Sequence, residues 1–203
     1  MDKYNQVADE STITATLEAL NKNNFQAQVV DDLEAAKKIV TDIIPSGAEV
    51  FTATSVTLTD AGLDKILNEA PYVSVREKFM PLRGQPGEEV EMRRIGSGAD
   101  YAVGSVHAVT KDGQLLIASA SGSQIPSEVY GASHVIFVVG AQKLVNDIND
   151  GIQRIRQHSV PLENERAKIV YGAPGTSLNK ILVFLHENPG RVHVIIVRQN
   201  VGY

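Results

Sequence analysis

The chain of 203 residues contains no cysteine. That absence excludes disulfides, thiolate zinc sites, a cysteine nucleophile and cysteine-ligated iron–sulfur clusters. It fits a cytoplasmic setting, where disulfides are rare. Positive charge is also in short supply: the net charge is −5. Nonspecific nucleic-acid binding needs a positive field, so no nucleic-acid partner is expected. No apolar run approaches the roughly 18 residues that a membrane span requires. The opening stretch MDKYNQVADESTITATLEAL has no apolar signal core. No membrane partner is expected either. Repeats and low-complexity tracts are absent, as are a Gly-x-Gly-x-x-Gly fingerprint after a strand and a Walker pattern.

What is present is an ordinary globular composition, 43% apolar. The length suffices for one sizeable core. We expect a single domain over 1–203, with a helical N-terminal part over 1–47 and no internal linker. Ile13, Leu17 and Leu20 have helical spacing, and Phe25 to Val30 reads as a strand. Asp31 and Asp32 can cap a helix whose buried stripe is Leu33, Ala36, Ile39, Val40 and Ile43. Ala48 to Ala53 reads as a strand, Thr54 to Thr59 as a polar turn, and a helix starts at Asp60. This is the rhythm of a parallel α/β sheet.

Farther on, Pro81 to Gly87 must be a loop and Glu88 to Ile95 a helix. Ala102 to Val109 and Gln114 to Ala118 read as strands about a tight Asp112-Gly113 turn. A short helix near Pro126 to Tyr130 precedes a buried-type strand at Val135 to Val139. Ile148, Ile152 and Ile155 share a helix face, and Pro161 begins another short helix. The final segments, Lys180 to Leu185 and Val192 to Arg198, read as a hairpin about Asn188-Pro189-Gly190.

In parallel α/β sheets, ligands gather beyond the C-terminal ends of strands. Two such places carry candidate binding residues. One is the turn holding Ser55 and Thr57. The other is the loop Ser119-Ala120-Ser121-Gly122-Ser123-Gln124. Its hydroxyls, free amides and following helix start suit an anion, and Gly122 permits close approach or positive φ. The alternative for this loop is a tolerant surface connection. His107 offers a base near neutral pH, or is simply a strand residue. Lys143 offers a charge for a phosphate or carboxylate, or is a solvated lysine at a helix start. Arg154 and Arg156 suit a solvated face or a subunit contact, and Arg83 a lid. The remaining histidines show no metal-ligand spacing, no carboxylate cluster stands at ligand spacing, and no Ser-His-Asp set is assignable. No metal and no cofactor are expected.

Three stretches carry a resemblance: GADYAVGSVHAVTKDGQLL, VIFVVGAQKLVNDINDGIQRIRQHSVPLENERA and ILVFLHENPGRVHVIIVRQNVGY. They resemble the LUD-domain family, which includes the lactate utilisation proteins B and C. The resemblance runs from about Ala48 and is best from Gly98 onward. Its most specific pieces are Gly104-Ser105 with Ala108-Val109-Thr110 and Gly113, Gly140 with Lys143, and Val201-Gly202-Tyr203. It implies a three-layer α/β sandwich with a mainly parallel sheet, as in glucosamine-6-phosphate deaminase, ribose-5-phosphate isomerase and coenzyme A transferases. There are departures. The segment IVYGAPGTSL, from Ile169 to Leu178, lacks the cysteine cluster of many relatives. No glutamate lies between Glu91 and Glu128 to serve as a transferase nucleophile near the hairpin. The lysine-glycine-glycine pattern of the isomerases is missing.

Two functions stay open. The resemblance implies a lactate utilisation protein C-like component that assists oxidation of L-lactate to pyruvate. Iron–sulfur partner proteins would then carry the redox centres. The alternative is a stand-alone enzyme or binding module for a small organic acid, acyl or sugar phosphate. A small anionic ligand is expected in both, and a homodimer is compatible with both.

Overall fold

The computed structural model describes residues 3–172 and 175–203. Met1 and Asp2 of the opening stretch, and Ala173 and Pro174 of the cysteine-free segment, lie outside the described residues.

The strands with the most continuous apolar sequence are the most deeply placed. β7 (Ala132–Gly140) and β10 (Val192–Val197) are buried along nearly their whole length. A strand covered on both faces must be apolar on both. Around them forms a six-stranded sheet, in the order β1 (Gln26–Val30), β10, β7, β4 (Ala99–Gly104), β2 (Glu49–Thr52) and β3 (Val73–Ser74). Every neighbouring pair is parallel. The edge strand β1 carries two glutamines and is only half buried, as an edge position allows.

Side chains alternate across this sheet. Ile136, Val138, Ile195 and Val197 point to one face. There they pack with Ala36 and Val40 of α2 (Leu33–Ile43) and with Leu58 and Leu63 of two short helices, α3 (Val56–Asp60) and α4 (Leu63–Ile66). Val135, Phe137, Val139, Val194 and Ile196 point to the other face, toward Ile13 and Leu20 of α1 (Glu10–Lys22). The layered α/β arrangement expected from the sequence is therefore present: a central parallel sheet flanked by helices.

A second, four-stranded sheet joins α1 on that face. Its order is β8 (Leu144–Val145), β5 (Ala108–Thr110), β6 (Leu115–Ser119) and β9 (Lys180–Phe184). Phe137 of the first sheet meets Phe184 of the second edge-on, with centroids 6.1 Å apart. This second sheet corrects two sequence expectations. Ala102 to Val109 is not one strand. The chain leaves the parallel sheet after Gly104 and enters the small sheet at Ala108. The final hairpin is also absent: β9 pairs antiparallel with β6, whereas β10 lies between β1 and β7. The Asp112-Gly113 turn does join an antiparallel pair, β5 and β6, and Gly113 has φ +74°.

The outer face of the small sheet is covered by one helical run. It consists of α5 (Ile148–Arg154), a π-helical turn (Ile155–Ser159) and α6 (Val160–Tyr171). Ile148, Ile152, Ile155 and Val160 pack on Ala108, Leu116 and Ala118. Pro161 is thus not the start of a separate helix. It has no N–H for an ordinary helical bond, and its ring crowds the preceding turn. The wider π turn just before it accommodates both defects without breaking the run.

The central strands should dominate stability. Ile195→Ala, at a fully buried position, should lower the free energy of unfolding by about 2–5 kcal/mol in urea titrations. Val90→Ala, at a site 66% exposed, should change it by less than about 0.5 kcal/mol.

Candidate functional site

A cleft of about 540 Å³ opens where the ends of β2 and β4 meet the crossing between the two sheets. Its volume lies within the range of ordinary small-molecule sites. Ser55, Thr57, His107, Ser119, Ser121, Ser123, Gln124 and Lys143 all line it. The two strand-end loops picked out in the sequence therefore share one cavity. Gly122 does not line it. Its φ is +85°, and an added Cβ would meet the aliphatic part of Lys180.

The floor is built around Lys143. This residue follows β7 in a short 3-10 turn, Ala141–Lys143, and is 1% exposed. It is a buried lysine, not the solvated helix-start residue considered from sequence. Nζ donates to Thr57 Oγ1 at 2.9 Å and to Ser105 Oγ at 3.1 Å. Thr57 in turn donates to the Val201 carbonyl at 3.5 Å, and Ser105 to the Val106 carbonyl at 3.4 Å. Both hydroxyls thus present lone pairs to the lysine. An ammonium has three donors, so one remains. Burial lowers the Lys143 pKa to about 7, and the charge of Arg154 adds to the effect. The local glycines make this packing possible. A Cβ at Gly202 would overlap Thr57, and one at Gly140 would overlap Gln142 and Val201.

His107 stands in the crossing between the sheets, not within a strand. Its Nδ1 accepts from the Ala118 amide at 3.1 Å. This assigns the proton of the neutral ring to Nε2. Burial, reinforced by Lys143 and Arg154, lowers its pKa to about 3. It is therefore a neutral N–H donor near pH 7 and not the near-neutral base considered from sequence.

Arg154 corrects the expectation of a solvated face. It is fully buried, and Nη1 donates to the His107 carbonyl at 2.5 Å and to Ser159 Oγ at 3.1 Å. Arg156, two residues on, is exposed.

The serine loop, which connects the two sheets, is tied largely to itself. Ser119 Oγ receives the Gly122 amide at 2.8 Å and donates to Gln124 Oε1 at 3.0 Å. Ser121 Oγ receives the Ser123 amide at 3.2 Å and donates to Ser123 Oγ at 3.1 Å. The amides of Gly122 and Ser123 are thus occupied, and the next element is a short π turn (Ser127–Gly131) instead of an α-helix. The positive charge at the cleft comes from elsewhere: Lys143 below, with Arg76, Arg83 and Arg166 on the walls. Arg166 makes a two-pronged contact with Glu163, both bonds 2.7 Å long. Tyr203 Oη donates to the same carboxylate at 2.6 Å. Burial works to raise the Glu163 pKa, but the bonds from Arg166 and Tyr203 outweigh it and hold it below the ordinary range.

Sequence reasoning missed Glu128. It lies in the π turn, 1% exposed, and lines the cleft. Burial pushes its carboxyl well above the usual carboxylate range. A glutamate in a short polar segment between two exposed residues, Pro126 and Val129, gives no signal of burial. Among the described residues no group of three or more His, Cys, Asp or Glu side chains is placed to hold a metal.

Known proteins share this architecture. The sequence profile of the LUD domain matches residues 13–197. The chain belongs to the LUD-domain family. The family is associated with lactate utilisation. The LUD match begins well before Ala48 and ends short of Val201-Gly202-Tyr203. Among solved structures, a DUF162 family protein from Deinococcus radiodurans is similar, with a TM-score of 0.54 and 12% identity. The alignment covers 95% of this LUD chain and 99% of that one, and at this identity it speaks for the fold. No curated protein matches the chain.

Lys143 supplies a test of the site. Its native pKa of about 7 lies below the ordinary lysine value of 10.5. Between those values the unfolded chain binds more protons, so the lysine's contribution to stability improves as pH rises. Compared with Lys143→Met, the wild type should gain up to about 1.4 kcal/mol per pH unit in that window. Urea unfolding of both proteins at a series of pH values measures this. A flat difference means that the amine titrates normally.

Proposed function

We propose that the cleft binds a small carboxylate-bearing anion. In this proposal the chain is a lactate utilisation protein C-like component that assists oxidation of L-lactate to pyruvate. The observation that carries the proposal is the buried Lys143. Its two hydroxyl acceptors leave one donor over, and arginines stand on the walls of a cleft in a chain of net charge −5. Lys143, Arg76, Arg83 and Arg166 outnumber the Glu163 carboxylate that pairs with Arg166, and an excess of positive groups in a concave site concentrates anions. A buried, charge-assisted hydrogen bond is also stronger than a neutral one. The Nε2–H of His107 offers a further donor to an acid oxygen. The family's association with lactate utilisation selects the acid. A chain without cysteine suits a component whose redox centres sit in iron–sulfur partner proteins, and a cytoplasmic setting belongs to the same proposal. No helix among the described residues is long and apolar enough to cross a membrane.

One observation favours a second reading. A volume of about 540 Å³ exceeds what lactate needs. An acyl or sugar phosphate would fill it better, and the implied likeness to coenzyme A transferases points the same way.

Calorimetry separates the two. The wild type should bind L-lactate or pyruvate, less tightly as salt is raised. Lys143→Met should weaken that binding at least about tenfold, the size expected for one charge-assisted bond. Binding of sugar phosphates or acyl thioesters, with neither acid bound, decides for the second reading.

A further inference from the structure

Glu128 plays no part in the function proposed above, yet the backbone that carries it is firmly placed. The Ser127 hydroxyl donates to the Gly96 carbonyl at 3.0 Å. Arg191 donates to the carbonyls of Glu128 and Ala132 at 3.0 and 3.2 Å, and its other end pairs with Glu187. The Glu128 amide donates to the Gln124 carbonyl at 3.2 Å. The backbone under the carboxyl is thus fixed on both sides. Room for the carboxyl comes from Gly104, where a Cβ would lie 2.9 Å from Glu128 Oε1. The next residue, Ser105, is an acceptor for Lys143. Carboxyl and lysine thus line the same cleft and touch neighbouring residues at the end of β4.

Neither carboxyl oxygen of Glu128 has a hydrogen-bond partner among the described residues. Buried polar groups in native proteins are nearly always bonded. An orphan carboxyl lining a cleft is explained if its partner arrives with the ligand. A carboxylic acid offers one donor and further acceptor capacity. In this protonated form, which burial favours, it can meet a hydroxyl or a carbonyl oxygen and does not repel an anion in the same cleft.

We propose that Glu128 is the specificity residue of the cleft. It bonds an uncharged oxygen substituent on an acid whose anionic end is held at Lys143. The cleft would thus take short hydroxy or oxo acids in preference to unsubstituted ones. This inference rests on the acid-binding function proposed above.

The test is calorimetry with L-lactate and with propionate, which is the same acid without the hydroxyl. Wild type should prefer lactate by at least about tenfold, because the analogue leaves a buried polar group unpaired. Glu128→Gln, whose amide also donates and accepts, should keep most of that preference. Glu128→Leu should bring the two acids to within about twofold of each other. Equal affinities of the wild type for the two acids overturn the role of Glu128 and leave acid binding standing. A preference that survives in Glu128→Leu also overturns it. If neither acid binds the wild type, acid binding itself is wrong and the inference falls with it. The wild-type comparison needs no variant, so a misfolded Glu128→Leu does not protect the idea.

Discussion

Three residues, Ser105 to His107, carry the chain from one sheet to the other, and the site depends on how they are held. Before them, β4 is in parallel register with β2 and β7. After them, β5 is paired with β6 and β8. So short a passage leaves its polar groups little slack. The His107 amide donates to the Leu116 carbonyl at 2.8 Å, the ring accepts from Ala118, and the carbonyl accepts from Arg154. Ser105 faces Lys143. The same contacts that fix the crossing therefore aim the groups at the floor of the cleft.

This arrangement has an energetic oddity. Two cations, Lys143 and Arg154, are buried close enough for the charge of one to lower the pKa of the other. Burying like charges together opposes folding. The cleft that Lys143 lines also holds a buried carboxyl without a hydrogen-bond partner among the described residues. Groups so perturbed tend to gather at functional sites, where binding and not stability has shaped the choice. The apolar layers on both faces of the central sheet supply the stability that such a site consumes.

The parallel sheet was legible in the sequence because its signals are local. A helical stripe at Ala36 and Val40, an aspartate cap and continuous apolar strands each announce one element. Asp32 accepts the Ala35 amide at 2.8 Å, as a cap should. Partnership between strands is not local. Lys180 to Phe184 and Val192 to Val197 flank a Pro-Gly turn and look like a hairpin, yet each has better partners elsewhere. Ala102 to Val109 looks like one strand because Gly104-Ser105-Val106 does not interrupt an apolar run strongly. The cleft was legible in part. Ser55 and Thr57 follow a strand of the parallel sheet, where such sheets bind ligands. The serine loop follows β6 of the small sheet, whose partners are antiparallel, yet the two line one cleft. The sequence did not reveal which charges turn inward. Lys143, Arg154 and Glu128 are polar letters whose burial is decided by distant packing. The serine loop invites overreading, since its hydroxyls serve its own backbone.

The position of β10 bears on how the chain is made. It pairs with β1 on one side and β7 on the other, although both are synthesised long before it. While the ribosome is still working through residues 141 to 191, β7 is the open, apolar edge of the sheet, and β1 lacks the strand that ties it in. Only when Val192 to Val197 emerges can β1 join the sheet. Until then the nascent chain offers a ready template for another strand, of its own or of a neighbour. Closure also brings together segments far apart in sequence, which is slow. An exposed strand edge during synthesis follows from a sheet in which an interior strand is made after both its neighbours.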